Sequence, residues 1–203
     1  MLKINLGSGP TSAPGWTNID WGLLPFLGSL KINKILVKLG FLNKGYGESW
    51  PRITFCDIRK GLPFEDKSVN YIYCSNVLEH LQPRETIKVV TECHRVLKKG
   101  GILRVVIPDL DILIKKYKDP DIFNNEYWGY EKKKYRSFKE KVMERFIRPH
   151  QWMFNKKSFK NILVEAGFVK IKFYGIRKGK CPDLDKLDLK IHEELCFYVE
   201  AEK

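Results

Sequence analysis

At 203 residues the chain is long enough to bury one sizeable core and short for two. Its hydrophobic fraction of 43% and mean hydropathy of -0.34 are those of a globular protein, and no run approaches the roughly 20 apolar residues that cross a bilayer. The five cysteines, Cys56, Cys74, Cys93, Cys181 and Cys196, are odd in number and nowhere spaced C-x-x-C, which argues against a disulfide framework and a structural zinc site. No metal ligands are assigned, and the reading is one cytoplasmic domain over residues 1–203.

In chain order, the first predicted strand is Lys3–Leu6, too short an apolar run for a signal peptide and followed directly by Gly7-Ser8-Gly9. Only Pro10 to Trp16 separates that turn from a second strand at Thr17–Asp20, which leaves no room for the usual intervening helix. A long connection from Gly22 to Trp50 contains an apolar helical stretch around Leu30 to Leu42. Strands follow at Arg52–Cys56 and Val69–Cys74. Pro83 to Lys99 reads as a helix carrying Ile87, Val90, Val96 and Leu97, with Gly100-Gly101 as its stop. A fifth strand, Ile102–Ile107, leads into a second long connection from Asp109 to Met153. Lys156 to Ala166 is a helix with Phe159, Ile162 and Leu163 on one face and Gly167 as cap. The last strands are Val169–Ile176 and Leu195–Ala201, and the absence of a helical pattern from Gly179 to Glu194 points to antiparallel pairing. Alternating strands and helices imply right-handed crossovers. The expected fold is therefore α/β: a Rossmann-like, mostly parallel seven-stranded sheet with helices on both faces and an antiparallel last strand. Ligands bind beyond the carboxyl ends of such strands, where both long connections begin, so residues near 22–50 and 110–153 read as lid-like insertions.

The formal charge of +13 allows an anionic partner: nucleic acid, lipid or a phosphorylated substrate. Lysines and arginines concentrate between Lys115 and Arg148, where Lys132 to Lys134 and Arg136 interleave with Trp128, Tyr130, Tyr135 and Phe138. A solvated face is the plainer reading of such a run, and a polyanion or sugar site the sharper one.

Ile4-Asn5-Leu6-Gly7-Ser8-Gly9-Pro10 is a strand running into a glycine turn, which lets the backbone approach a ligand with no Cβ in the way. A phosphate loop needs a lysine after the glycines, and Pro10-Thr11-Ser12-Ala13 has none, which argues against a nucleoside triphosphate. Asp20 closes the second strand, Asp57 the third, and Ser75-Asn76-Val77-Leu78-Glu79-His80-Leu81 the fourth. A carboxylate at the second strand end can accept both ribose hydroxyls, and one at the third an exocyclic amine. Asp also serves as a turn residue or helix N-cap, but two at consecutive strand ends favour a nucleoside pocket. Were the second strand later in the chain, Glu48 would be the ribose carboxylate instead.

The order and spacing of the blocks Asn5–Pro10, Gly15–Asp20, Leu62–Phe64, Ser75–Leu81, Arg95–Gly101 and Pro108–Leu110 resemble the class I, Rossmann-like S-adenosylmethionine-dependent methyltransferases, in their type 11 branch. The resemblance implies S-adenosylmethionine as cofactor. It places Gly7 and Gly9, with Ser8 between them, along the cofactor's amino-acid portion, Asp20 on the ribose, Asp57 and Ile58 at the adenine, and Ser75 and Asn76 beside the sulfonium. Many relatives carry an acidic residue where Asn5 stands, so the contact to the methionine ammonium here runs through an amide or through water.

A hydroxyl acceptor needs a base. His150, in Arg148-Pro149-His150-Gln151-Trp152, and Asp109, directly after the fifth strand, are the candidates, both expected at the pocket mouth. His80 is read equally as structural or as a third candidate. His94 reads as a packing or surface residue, and His192 lies in a charged stretch with no assignable partner. Relatives with a histidine shortly before a helix ending in Ala-Gly-Phe, here His150 to Phe168, resemble enzymes of glycan pathways, which implies a small-molecule or sugar hydroxyl acceptor. Nucleic-acid methylation is the rival, weakened by the absence of an Asn-Pro-Pro-Tyr or Asp-Pro-Pro-Tyr tetrapeptide; a cofactor-binding scaffold without turnover is the other alternative.

Overall fold

The computed structural model describes residues 1–42, 44–124 and 149–203. Seven strands, β1 (Lys3–Leu6), β2 (Thr17–Asp20), β3 (Ile53–Phe55), β4 (Val69–Ser75), β5 (Leu97–Pro108), β6 (Val169–Tyr174) and β7 (Cys196–Glu202), form one sheet in the order β3-β2-β1-β4-β5-β7-β6. β1 to β5 run parallel, while β7 is antiparallel to both β5 and β6. Strand order reverses at β1, which pairs with β2 on one side and β4 on the other. This is the topological switch point at which open α/β sheets bind ligands.

Both faces of the sheet are covered, because side chains alternate along each strand. Ile4, Leu6, Ile72, Cys74, Leu103, Val105 and Ile107 enter the larger core, with Phe159 and Leu163 packed against them. Tyr73, Ile102, Val106 and Tyr198 enter a smaller core on the opposite face, with Ala13, Trp16 and Leu184. Arg104, fully buried on β5, ties down the segment after β6: it donates to the Lys178 carbonyl at 2.8 Å and to Asp188 at 2.5 Å.

The helices among the described residues are α1 (Leu23–Ser29), α2 (Asn33–Lys38), α3 (Pro83–Val96), α4 (Leu110–Lys116), α5 (Pro120–Phe123), α6 (Lys156–Glu165) and α7 (Leu184–Leu187). None is long and apolar enough to cross a membrane. α3 starts where the sequence requires, with Pro83 in its first turn and a capping box between Gln82 and Glu85. Its end differs from expectation. Leu97 is already extended and begins β5, so Gly100 and Gly101 lie inside a strand instead of capping a helix. They serve an irregularity in the β4–β5 register, where a Cβ on Gly101 would stand 2.9 Å from the Lys98 carbonyl oxygen. The apolar stretch expected around Leu30 to Leu42 is likewise not one helix: a left-handed residue, Lys31 at φ 61°, separates α1 from α2. α6 ends at Glu165, with Ala166 as its C-cap and Gly167 following at φ 92°.

Candidate active site

The turn after β1 is built by backbone hydrogen bonds that only a tight glycine bend permits. Gly7 and Ser8 both donate their N–H to the Ile19 carbonyl, at 2.8 and 3.2 Å, which ties the turn to β2. Gly7 has φ 63°, and a Cβ there would lie 2.2 Å from Val77 Cγ2, so the turn must be bare to pass under the β4 terminus. Gly9, at φ 52°, has nothing within 4 Å of its Cβ position and faces open space.

Asp20 joins the turn to the strand end. Its Oδ2 accepts the Gly9 N–H at 2.8 Å and its Oδ1 the Trp21 N–H at 2.7 Å. Burial raises its pKa above the ordinary aspartate value, with the Gly9 and Trp21 amides pulling it back. A carboxylate offers about four acceptor positions, so after these two bonds it keeps capacity for a vicinal diol. Glu48, the alternative ribose carboxylate, belongs to no strand; its carbonyl accepts from Asn33 Nδ2 at 3.1 Å.

A cavity of about 370 Å³ opens over this edge, floored by Gly7, Gly9 and Asp20 and walled by Asp57, Ile58, Arg59, Asn76, Val77 and His80. Trp21, Leu23, Leu24, Pro25, Tyr46 and Trp50, from the connection after β2, line its far side. Sequence reasoning assigned this connection to the site without naming these residues; its aromatic content was the available signal.

Asp57 sits at the end of β3, but its carboxylate is engaged by a residue the sequence reading did not single out. Arg59 donates Nε to Oδ1 at 2.8 Å and Nη2 to Oδ2 at 2.7 Å, and its N–H also bonds Oδ1. The Arg59 guanidinium holds the Asp57 carboxyl below the usual range. Asp57 thus combines the N-cap role and the cavity wall, and an adenine would meet a neutralised pair with little acceptor capacity left.

Three of the expected cofactor residues do not line the cavity. Asn5 is buried, and its amide donates to the Thr11 carbonyl at 3.0 Å and to Asn18 at 3.4 Å, so it clamps the connection that replaces a helix. Ser8 is buried with its hydroxyl on the Gly9 carbonyl, and Ser75 receives Asn76 Nδ2 at 3.1 Å; neither lines the cavity. Asn76 does line it, in a left-handed conformation, and its amide pairs with His192 Nδ1 at 3.2 Å. His192 therefore has the partner that the sequence did not reveal. His94 packs edge-on against Phe168, as a structural residue.

The base candidates separate. Asp109 is 3% exposed, accepts the Asp111 N–H as the N-cap of α4 and does not line the cavity, so it anchors a helix and does not reach the mouth. His80 lines the cavity, and His150 meets it edge to face with ring centroids 4.8 Å apart. Glu79 completes the group: its carbonyl accepts the N–H of Gln151 at 2.7 Å and of Trp152 at 3.2 Å, which holds the segment after Pro149 beside β4. The Glu79 carboxylate is fully enclosed, neither oxygen has a hydrogen-bond partner among the described residues, and burial pushes its pKa up to about 8. Burial, then the neighbouring His80, lowers His150 to about 4. One donor atom from each of Glu79, His80 and His150 lies within 4.8 Å of the others, a set able to relay a proton or to hold a borderline divalent ion. The basic aromatic run with Trp128, Tyr130, Tyr135, Phe138, Lys132 to Lys134 and Arg136 lies outside the described residues.

Strand order, a glycine turn at the switch point and carboxylates at the ends of β2 and β3 define the class I, Rossmann-like methyltransferase fold. A family model described as a methyltransferase domain matches residues 39–105. The matched segment contains Asp57, Ser75, Asn76, Glu79 and His80 but not Gly7, Gly9, Asp20 or His150. An uncharacterized protein of Methanocaldococcus jannaschii is 41% identical over 64 residues, 32% of this chain and 25% of that protein; the chain thus spans about a quarter of the length of the curated relative it matches. Among solved structures, a SAM-dependent methyltransferase and possible histamine N-methyltransferase of Thermotoga maritima is 16% identical, with a TM-score of 0.54 over 100% of this chain and 82% of that one. A SAM-dependent methyltransferase of Archaeoglobus fulgidus, also 16% identical, gives 0.53 over 99% and 85%. At such identities the likeness establishes the fold.

Proposed function

We propose that the chain is an S-adenosylmethionine-dependent methyltransferase acting on a small-molecule or glycan hydroxyl. The observation that carries this reading is the cavity at the switch point, where Asp20, bare Gly9 and His80, backed by His150, converge. The residues fit the cofactor: Gly9 leaves space for it, and Asp20 retains acceptor capacity for a ribose diol. When bound, the cofactor supplies an electrophilic methyl on a sulfonium.

The chain contributes position and proton handling. Asp20 fixes the ribose, Ile58 gives the adenine an apolar contact, and Asn76 and Val77 border the reacting end. Orientation of this kind accounts for much of the rate in methyl transfer. His80 Nδ1 lies 3.3 Å from the Pro149 carbonyl; donation there makes Nε2 the basic nitrogen. His80 takes the acceptor's proton at the cavity wall, and His150, neutral at pH 7, packs edge to face behind it and holds the ring in place. The test is transfer of labelled methyl from S-adenosylmethionine to soluble sugar and lipid-linked glycan pools and, in parallel, to RNA. Label in the glycan or sugar fraction supports the reading, whereas label confined to RNA replaces the acceptor class.

A further inference from the structure

The segment between β2 and β3 leaves an apolar stripe facing outward. The fully buried positions of its two helices are small or polar, Pro25, Gly28 and Asn33, with Gly28 against the Trp50 ring and the Asn33 amide on the Tyr46 and Glu48 carbonyls, while Leu24, Leu27, Leu36 and Val37 are half-buried. Its outward side carries Leu23, Phe26 and Leu30 along α1 and Ile32, Ile35 and Leu39 along α2, each set spaced i, i+3, i+7. Leu23, Phe26, Leu30, Ile35 and Leu39 are between 48% and 61% exposed. The outward face of a surface helix is ordinarily polar, and a contiguous exposed apolar stripe marks a site of interaction.

Charge identifies the occupant. Lys31, Lys34 and Lys38, all exposed, each precede a residue of the α2 stripe by one position, roughly 100° around the helix. Lys44 follows, and from Trp21 to Gly47 there is no Asp or Glu at all. Lysines of a single sign beside an apolar stripe suit anionic headgroups over acyl chains, with the lysine stems snorkelling toward the phosphates. We propose that α1 and α2 dock the protein on an anionic lipid surface, lying in the interface without crossing it. The inference stands apart from the methyltransferase reading, although Leu24 and Pro25 line the cavity from the same segment, so docking brings the cavity to the headgroup layer.

The experiment is flotation of the full chain with vesicles of equimolar phosphatidylcholine and phosphatidylglycerol, and with phosphatidylcholine alone. Two variants accompany it, Phe26→Ser/Leu30→Ser/Ile35→Ser/Leu39→Ser and Lys31→Glu/Lys34→Glu/Lys38→Glu, none of which changes a residue of the cavity wall. The expected result is binding to the anionic vesicles, weakened by high salt and reduced about tenfold or more in both variants. Absence of binding by the wild type, or equal binding by the charge-reversed variant, overturns the proposal. So does a wild-type dimer in solution that the apolar variant dissolves without any vesicle binding, since the stripe is then a contact between copies. Should the apolar variant fail to fold, the lysine variant, altered only at exposed positions, still decides.

Discussion

The Gly9 amide donates to Asp20 Oδ2 at 2.8 Å, so the glycine turn after β1 and the end of β2 act as one rigid unit. Asp20 is therefore part of the scaffold as well as the proposed ribose ligand. Asp20→Asn keeps an acceptor for Gly9 and should retain the fold, while its affinity for S-adenosylhomocysteine falls at least tenfold, in line with the roughly 1.5–3 kcal/mol of a hydrogen bond to a charged group. Calorimetry on the two proteins checks this. In the wild type, affinity should decline with falling pH earlier than an ordinary aspartate would dictate, because burial raises the Asp20 pKa.

The two turn glycines predict opposite phenotypes. Gly7→Ala forces a methyl into Val77 at a positive φ and should cost about 3 kcal/mol of stability, lowering Tm by roughly 2–4 °C per kcal/mol. Gly9→Ala meets no protein atom and should cost only about 1 kcal/mol of backbone strain, yet its methyl occupies cofactor space. Thermal melts with and without S-adenosylhomocysteine separate the two: Gly7→Ala loses Tm, and Gly9→Ala loses the ligand-induced rise.

Arg59 lowers the Asp57 pKa in the folded protein below its unfolded value. The pair's contribution is then complete above the unfolded pKa and lost as pH falls through the folded one. Arg59→Met should remove that acid-dependent part, about 0.5–1 kcal/mol for a pair at the surface. Tm measured from neutral to acidic pH should fall less steeply in the variant, with the curves converging at low pH.

His150 lies behind His80 and does not line the cavity. His150→Ala should bind S-adenosylhomocysteine as the wild type does and lose about a hundredfold or more in kcat toward a hydroxyl acceptor. Because its pKa is lowered to about 4, its neutral form prevails above that value, so acid inactivation attributable to His150 should appear only near pH 4. Normal turnover by the variant would remove His150 from the mechanism.

Much of the sheet was legible because strands in an α/β core are short apolar runs between turn residues, and Thr17–Asp20 emerged with its limits intact. The limits of α3 and β5 were not, since Gly100-Gly101 suits a helix stop as well as a strand irregularity, and only pairing with β4 and Lys203 decides between them. Asp20 and Asp57 could be placed at strand ends from local pattern. Arg59 on Asp57, His192 on Asn76 and Glu79 beside His150 could not, because each partnership is made by side-chain direction or by contacts far apart in the chain. The partners of Asn5 and Asp109 were hidden for a related reason: a polar residue near a strand end can serve a ligand or the adjoining chain, and here Asn5 bonds the loop at Thr11 while Asp109 caps α4.

The most direct measurement is calorimetric titration of the purified chain with S-adenosylhomocysteine. Binding at one site per chain, micromolar or tighter and lost in Asp20→Ala, is the predicted result. A well-folded chain with no detectable heat at any concentration tested would contradict the assignment of the switch-point cavity to this cofactor.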